Sequence, residues 1–139
     1  MIYCYSDSGN SKRYAEVLGD IIGQPVYMLE AQRKASPLRS VWQAIARKSE
    51  PVVNMPTDID GDEVYICGPV WGGYPAAPLR YFLENAPLRG KKVHMLLTAG
   101  LAQVRFIENA KKMLDNPGNV QVFVGKGEAV EEQIRELMT

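Results

Sequence analysis

Ile2-Tyr3-Cys4-Tyr5-Ser6-Asp7-Ser8-Gly9-Asn10-Ser11 leads from a short apolar run into a polar turn, after which Tyr14, Val17, Leu18, Ile21 and Ile22 recur at helical spacing. Apolar residues spaced by three and four share one helix face, whereas a short continuous apolar run bounded by a turn reads as a buried strand. Gly23 stands where a helix C-terminal cap belongs. The opening is therefore strand, turn and amphipathic helix, the first unit of an alternating β/α chain.

The alternation continues downstream. Pro25 to Leu29 reads as a second strand, and Val41, Trp42, Ile45 and Ala46 suggest an amphipathic helix opened by Ser36-Pro37 and closed before Pro51. Trp42 belongs to the packing face of that helix. The polar segment Asn54 to Asp62 is loop, Val64 to Cys67 strand, Gly68 to Pro75 a glycine- and proline-rich loop, and Ala76 to Ala86 a helix with Leu79, Phe82 and Leu83 inward. Val93 to Thr98, a helix from about Ala102 to Leu114, the strand Val120 to Val124 and a last helix carrying Val130, Ile134 and Leu137 complete five β/α units.

Parallel strands joined by helices cross over right-handedly, so five such units form an open, doubly wound sheet with helices on both faces, in the order 2-1-3-4-5. Ligands collect at the carboxyl ends of such strands where the winding reverses, here between the first and third strands. The loops that matter are then 6–11, 68–75 and 99–103.

Length and composition agree with this reading. At 139 residues the chain, 1–139, fits a single domain, and 46% apolar with 23% charged residues is the balance of an ordinary globular protein. No segment approaches the roughly 20 apolar residues that cross a bilayer, and Met1 runs straight into a strand, so a soluble, untargeted protein is expected. Sixteen basic residues balance sixteen acidic ones, which gives no electrostatic reason to expect nucleic acid or an anionic membrane as partner. Cys4 and Cys67 lie inside apolar runs, as reduced core thiols of a cytoplasmic protein do. His94, the one histidine, falls within the fourth strand and reads as structural.

Ser6-Asp7-Ser8-Gly9-Asn10-Ser11 is rich in groups that hold a phosphate. Backbone amides at a helix start, the helix dipole and hydroxyls from Ser6, Ser8 and Ser11 can surround a dianion, and Gly9 lets the backbone approach closely. The alternative is plain helix capping by Asp7, Ser8 or Asn10, which needs only one of them. A Walker loop requires Gly-x4-Gly-Lys-Ser/Thr, which does not occur. A cysteine phosphatase would need an arginine six residues after its cysteine, where Cys4 has Asn10 and Cys67 has Gly73. The Gly-x-Gly-x-x-Gly fingerprint is also missing from the first turn, which points to a mononucleotide.

The second loop reads Gly68-Pro69-Val70-Trp71-Gly72-Gly73-Tyr74-Pro75-Ala76-Ala77-Pro78. Together with Ser6 to Ser11, with Tyr81-Phe82-Leu83, with Leu88-Arg89-Gly90-Lys91-Lys92-Val93 and with Thr98-Ala99-Gly100, it resembles the flavodoxin family over nearly the whole chain. The resemblance implies a flavodoxin-like three-layer sandwich and one FMN. It also implies that Ser6, Ser8, Gly9, Asn10 and Ser11 hold the flavin phosphate, that Pro69, Val70, Trp71, Gly72, Gly73 and Tyr74 run along the isoalloxazine, and that Thr98, Ala99 and Gly100 close the third side. Trp71 is the first choice to stack on the ring, with Tyr74 second. Glycines at 72 and 73 permit a peptide to rotate so that a carbonyl meets the N5 proton of a reduced flavin.

The sequence departs from the family in two places. Ala99 to Gln103 carries no aromatic residue, whereas carrier flavodoxins place a second ring there, and the chain is neutral where such carriers are acidic. Three functions follow: an FMN-dependent electron-transferring oxidoreductase or carrier serving a redox partner protein or a small-molecule donor or acceptor; an NAD(P)H-dependent flavin or quinone reductase; and a flavodoxin-fold binding protein without cofactor. No metal site and no covalent catalytic residue is readable, and the oligomeric state is not encoded in any spare apolar stripe.

Overall fold

A computed structural model describes residues 1–7, 9–32, 49–101, 103–124 and 130–138. Within them β1 (Ile2–Cys4) leads to α1 (Asn10–Ile22) and β2 (Val26–Met28); β3 (Glu63–Trp71), β4 (Tyr74–Pro75) and α2 (Ala77–Asn85) follow, then β5 (Lys92–Ala99), α3 (Val104–Lys112), β6 (Pro117–Val124) and α4 (Val130–Met138). The helix expected around Val41 to Ala46, Trp42 included, lies outside the described residues.

The principal sheet runs β2-β1-β3-β5-β6, all parallel. Leaving aside the short β4, this is the flavodoxin-like order 2-1-3-4-5. Side chains alternate between the two faces because successive Cβ atoms in a strand point to opposite sides. Tyr3, Val64, Ile66, Val93, Met95, Leu97 and Val120 meet Leu79 and Phe82 of α2 and Ala110 of α3 on one face. Ile2, Cys4, Cys67, Leu96 and Phe123 meet Tyr14, Ala15 and Leu18 of α1 and Ile134 of α4 on the other. Fully burying a Val, Leu, Ile, Phe or Met side chain in this way contributes roughly 1.5–3 kcal/mol. No helix among the described residues is long and apolar enough to cross a membrane.

Local signals account for the ends of α1. Gly9 takes φ +87° at its start, and Gly23, at φ +69°, donates its amide to the Gly19 carbonyl at 2.8 Å, a glycine C-cap. His94 is built into the frame, as its strand position implies. Its Nδ1 accepts the Asn119 amide at 3.0 Å, so the ring proton sits on Nε2, 3.0 Å from Glu63 Oε1, and the ring stacks on Tyr65.

One expectation is corrected. Gly68 to Pro75 is not a loop: β3 runs on through Trp71, turns over Gly72 and Gly73, and returns as β4, pairing Val70 with Pro75 and Trp71 with Tyr74. The two glycines take φ +60° and +88°, the left-handed pair that a tight two-residue hairpin demands at both central positions. The glycines and prolines that read as loop are the residues of a turn and of a short edge strand, where Pro75 needs no ladder donor.

Cys4 and Cys67 are adjacent in register and both are free and buried. Burial pushes the Cys4 thiol up to about 12, with the Glu16 charge adding to the effect, and holds Cys67 well above the ordinary thiol range, with Cys4 as its second cause.

Two tests follow from this packing. A Cβ at Gly68 would stand 2.2 Å from Leu79 Cδ1 and 2.9 Å from its Cγ, with Leu79 fully buried. Gly68→Ala is expected to destabilise by about 1–3 kcal/mol, read as a lower urea midpoint with unchanged m value. The thiols ionise more easily in the unfolded chain, where the ordinary thiol value of 9.0 applies, than in the folded one. Their stabilisation is therefore complete below pH 9 and is lost as pH rises towards 12, with a limiting slope of roughly 1.4 kcal/mol per pH unit per thiol. Urea titrations at about pH 8 and about pH 10 check it, and equal stability at both contradicts it.

Candidate functional site at the carboxyl edge of the sheet

Register brings three segments side by side. Cys4 pairs with Cys67 and Pro69 with Thr98, while the Tyr5 amide donates to the Cys67 carbonyl at 3.0 Å. The turn after β1, the end of β3 with its hairpin, and the end of β5 therefore form one continuous edge. Chain winding reverses between β1 and β3, so no connecting helix covers the strand ends there.

At the first turn, Ser6 Oγ accepts the Gly9 amide at 3.0 Å, and Arg13 N to Gly9 O, at 3.2 Å, is the first bond of the helix. The amides of Ser11 and Lys12 thus have no acceptor within α1, and among the described residues no side chain caps the helix and no acidic residue lies in its first turn. Nothing comes within 4 Å of a Cβ built on Gly9. This is an open, electropositive helix start. Ser8 lies outside the described residues.

Ser11 is buried, and its hydroxyl lies 2.7 Å from that of Thr98, also buried. The pair braces the start of α1 against the end of β5, and the Ser11 side chain is directed inward to that bond. Ala99 is half-buried and Gly100 exposed beyond the strand end.

Trp71 is half-buried and meets the Tyr5 ring edge-on, with centroids 5.9 Å apart at 88°. Tyr74 lies under the Arg80 guanidinium, 5.4 Å from its ring centroid. Gly72 is exposed at the tip of the hairpin; Gly73 is buried, and its carbonyl accepts Asn109 Nδ2 at 2.9 Å. The third segment is open: Leu101 is 53% and Val104 72% exposed.

The residues expected at a site in the described part of the chain are therefore gathered at one edge. Sequence reading missed Tyr5, which backs Trp71, and Asn109 with Phe106, which back the hairpin. Tyr5 carried a signal, as the last residue of the first apolar run beside the turn. Asn109 carried none, because only three-dimensional packing brings α3 against β4.

No family model matches the chain, and no curated protein matches it. Solved structures do. A protein from Bacteroides uniformis, provisionally named a flavoprotein, superposes with a TM-score of 0.81 at 20% identity, over 97% of this chain and 96% of its own. A second such protein, from Bacteroides eggerthii, gives 0.80 at 20% identity over 99% and 94%. A flavoprotein from Lactobacillus acidophilus, solved in complex with FMN, gives 0.70 at 20% identity over 99% and 97%. Likeness at these identities establishes the flavodoxin-like fold.

The hydroxyl brace is open to a double-mutant cycle. Ser11→Ala and Thr98→Val each leave one buried hydroxyl without its partner and are expected to cost about 1–2 kcal/mol, while the double variant costs about 1 kcal/mol less than their sum. Additive losses in urea unfolding would show that the two hydroxyls do not bond.

Proposed function

We propose that this protein binds FMN at the carboxyl edge of its sheet and transfers electrons through it. One juxtaposition carries the proposal: a helix start whose Ser11 and Lys12 amides have no acceptor within α1 stands beside a tryptophan-bearing hairpin, and the Ser11–Thr98 hydroxyl bond braces that helix start against the end of β5. The FMN complex of the Lactobacillus acidophilus protein, which shares the fold, supports the choice of ligand.

The residues fit the group. A phosphate dianion needs amide donors, positive potential and a backbone that allows close approach, and the α1 start with its open Gly9 supplies all three. Ser6, Asn10 and Ser11 belong to this end, and Ser8 is assigned to it from sequence. A flat tricyclic ring needs an apolar wall held rigidly, and Pro69 to Tyr74 form one, with Trp71 buttressed by Tyr5. Thr98, Ala99 and Gly100 border both ends. When bound, the flavin supplies one- and two-electron chemistry, and the protein's part is to bind it, orient it and set its surroundings.

The exposed third segment favours a second reading. With Gly100, Leu101, Gln103 and Val104 all exposed and no aromatic among the described residues there, a small electron donor or acceptor has room to approach the ring. This is the geometry a flavin or quinone reductase would need.

Titration of apoprotein with FMN, followed by loss of flavin fluorescence, is expected to saturate at one equivalent. Riboflavin should bind at least about tenfold more weakly, since charge-assisted bonds to the phosphate are worth about 1.5–3 kcal/mol each. Trp71→Ala should weaken both ligands. Absence of saturable FMN uptake would sink the proposal. Anaerobic mixing of the loaded protein with NADPH or NADH then separates the two readings: rapid bleaching supports the reductase, and a stable yellow colour supports the carrier.

A further inference from the structure

We infer that Asn109 is a positioning residue for the ring end of the cofactor site, holding the Gly72–Gly73 hairpin in its binding conformation from a helix that sequence reading did not connect with the site. The inference rests on the proposed FMN site. Three observations carry it: Asn109 Nδ2 donates to the Gly73 carbonyl at 2.9 Å; Gly73 is buried; and a Cβ built on Gly73 would stand 3.7 Å from Phe106 Cε1 and 3.8 Å from Asn109 Nδ2. The second turn residue is thus seated on α3 by one hydrogen bond and one ring.

The hairpin needs such a support. β4 has only two residues and two cross-strand pairs, and an isolated two-stranded hairpin is marginal in water. Its turn consists of two glycines, the residues with the greatest conformational freedom to lose. A wall that must be ordered when the ligand arrives charges that ordering against affinity, whereas a wall already held does not. The carboxamide is well suited to hold it. It is oriented by chemistry, since the reversed amide would set Oδ1 against the Gly73 carbonyl.

The bond lies at the ring end and not at the phosphate end, so its loss has a distinctive signature. Asn109→Leu removes the donor and keeps the volume; Asn109→Asp keeps the shape and replaces the donor with a carboxylate facing a carbonyl. Both are expected to bind FMN and riboflavin about 3- to 10-fold more weakly by fluorescence titration, by the same factor for each flavin. The concentration of inorganic phosphate that competes with FMN should stay within about twofold after correction for the weaker flavin, because the α1 start is untouched. Riboflavin, which has no phosphate to titrate, should regain affinity for Asn109→Asp as pH falls to about 4, where the carboxyl can donate again, with no such gain in Asn109→Leu.

Unchanged flavin affinity in both variants, or a loss confined to FMN, overturns the assignment. So does a loss of phosphate competition in step with the flavins, which would mark a general structural defect. Failure of the unmodified protein to take up either flavin overturns the proposed function, and the role of Asn109 with it, whereas uptake with indifferent variants overturns Asn109 alone.

Discussion

The reversal of winding at β1 is the constraint from which the rest of the molecule follows. β1 pairs with β2 on one side and β3 on the other, so the connections from β1 and from β3 leave the sheet towards opposite faces, α1 to one and α2 to the other. A right-handed crossover allows no other arrangement for parallel strands. The consequence is a gap at the carboxyl ends of β1 and β3, with one helix start beside it and one hairpin. Moving a strand would close the gap; the two packed faces, with Tyr14, Leu18 and Ile134 on one and Leu79 and Phe82 on the other, hold the strands where they are.

Much of this was legible because burial writes a period into the sequence. The change from the run Ile2 to Tyr5 to the helical spacing of Tyr14, Val17 and Leu18 marks β1 and α1 without any tertiary information, and Gly23 marks the helix end. Pro69 to Tyr74 was harder. Glycine and proline are equally the vocabulary of loops and of tight hairpins, and the choice between them depends on whether the chain beyond Pro69 finds a partner. That partner, β4, is two residues long, too short to carry a period of its own.

Side-chain pairing was the least legible layer. Ser11 and Thr98 are separated by 87 residues and Gly73 and Asn109 by 36, and neither member of either pair differs by type from a surface residue. A serine at a helix start reads naturally as a ligand donor, yet the Ser11 hydroxyl is spent on Thr98. Residue type therefore marks a segment but does not apportion work between side chain and backbone. The division is physically sensible: buried hydroxyls must be paired, whereas amides at a helix start go without internal acceptors in any helix.

The three sides of the edge also differ in how firmly they are held. The helix-start side is part of α1 and inherits the rigidity of a thirteen-residue helix packed by Tyr14, Ala15 and Leu18. The hairpin side is a two-residue return strand backed by Tyr5, Phe106 and Asn109. The third side, from Gly100 to Val104, exposes Leu101 and Val104 to solvent. A ligand that spans the edge would thus be anchored at one end by backbone charge, guided along its middle by a supported wall, and approached from its least covered side. On the proposed FMN reading the first two sides would select a phosphorylated flat ring, because each suits a different chemical group. On the same reading the third side would admit the electron partner, since apolar side chains left in water favour contact with an apolar surface over a strongly charged one.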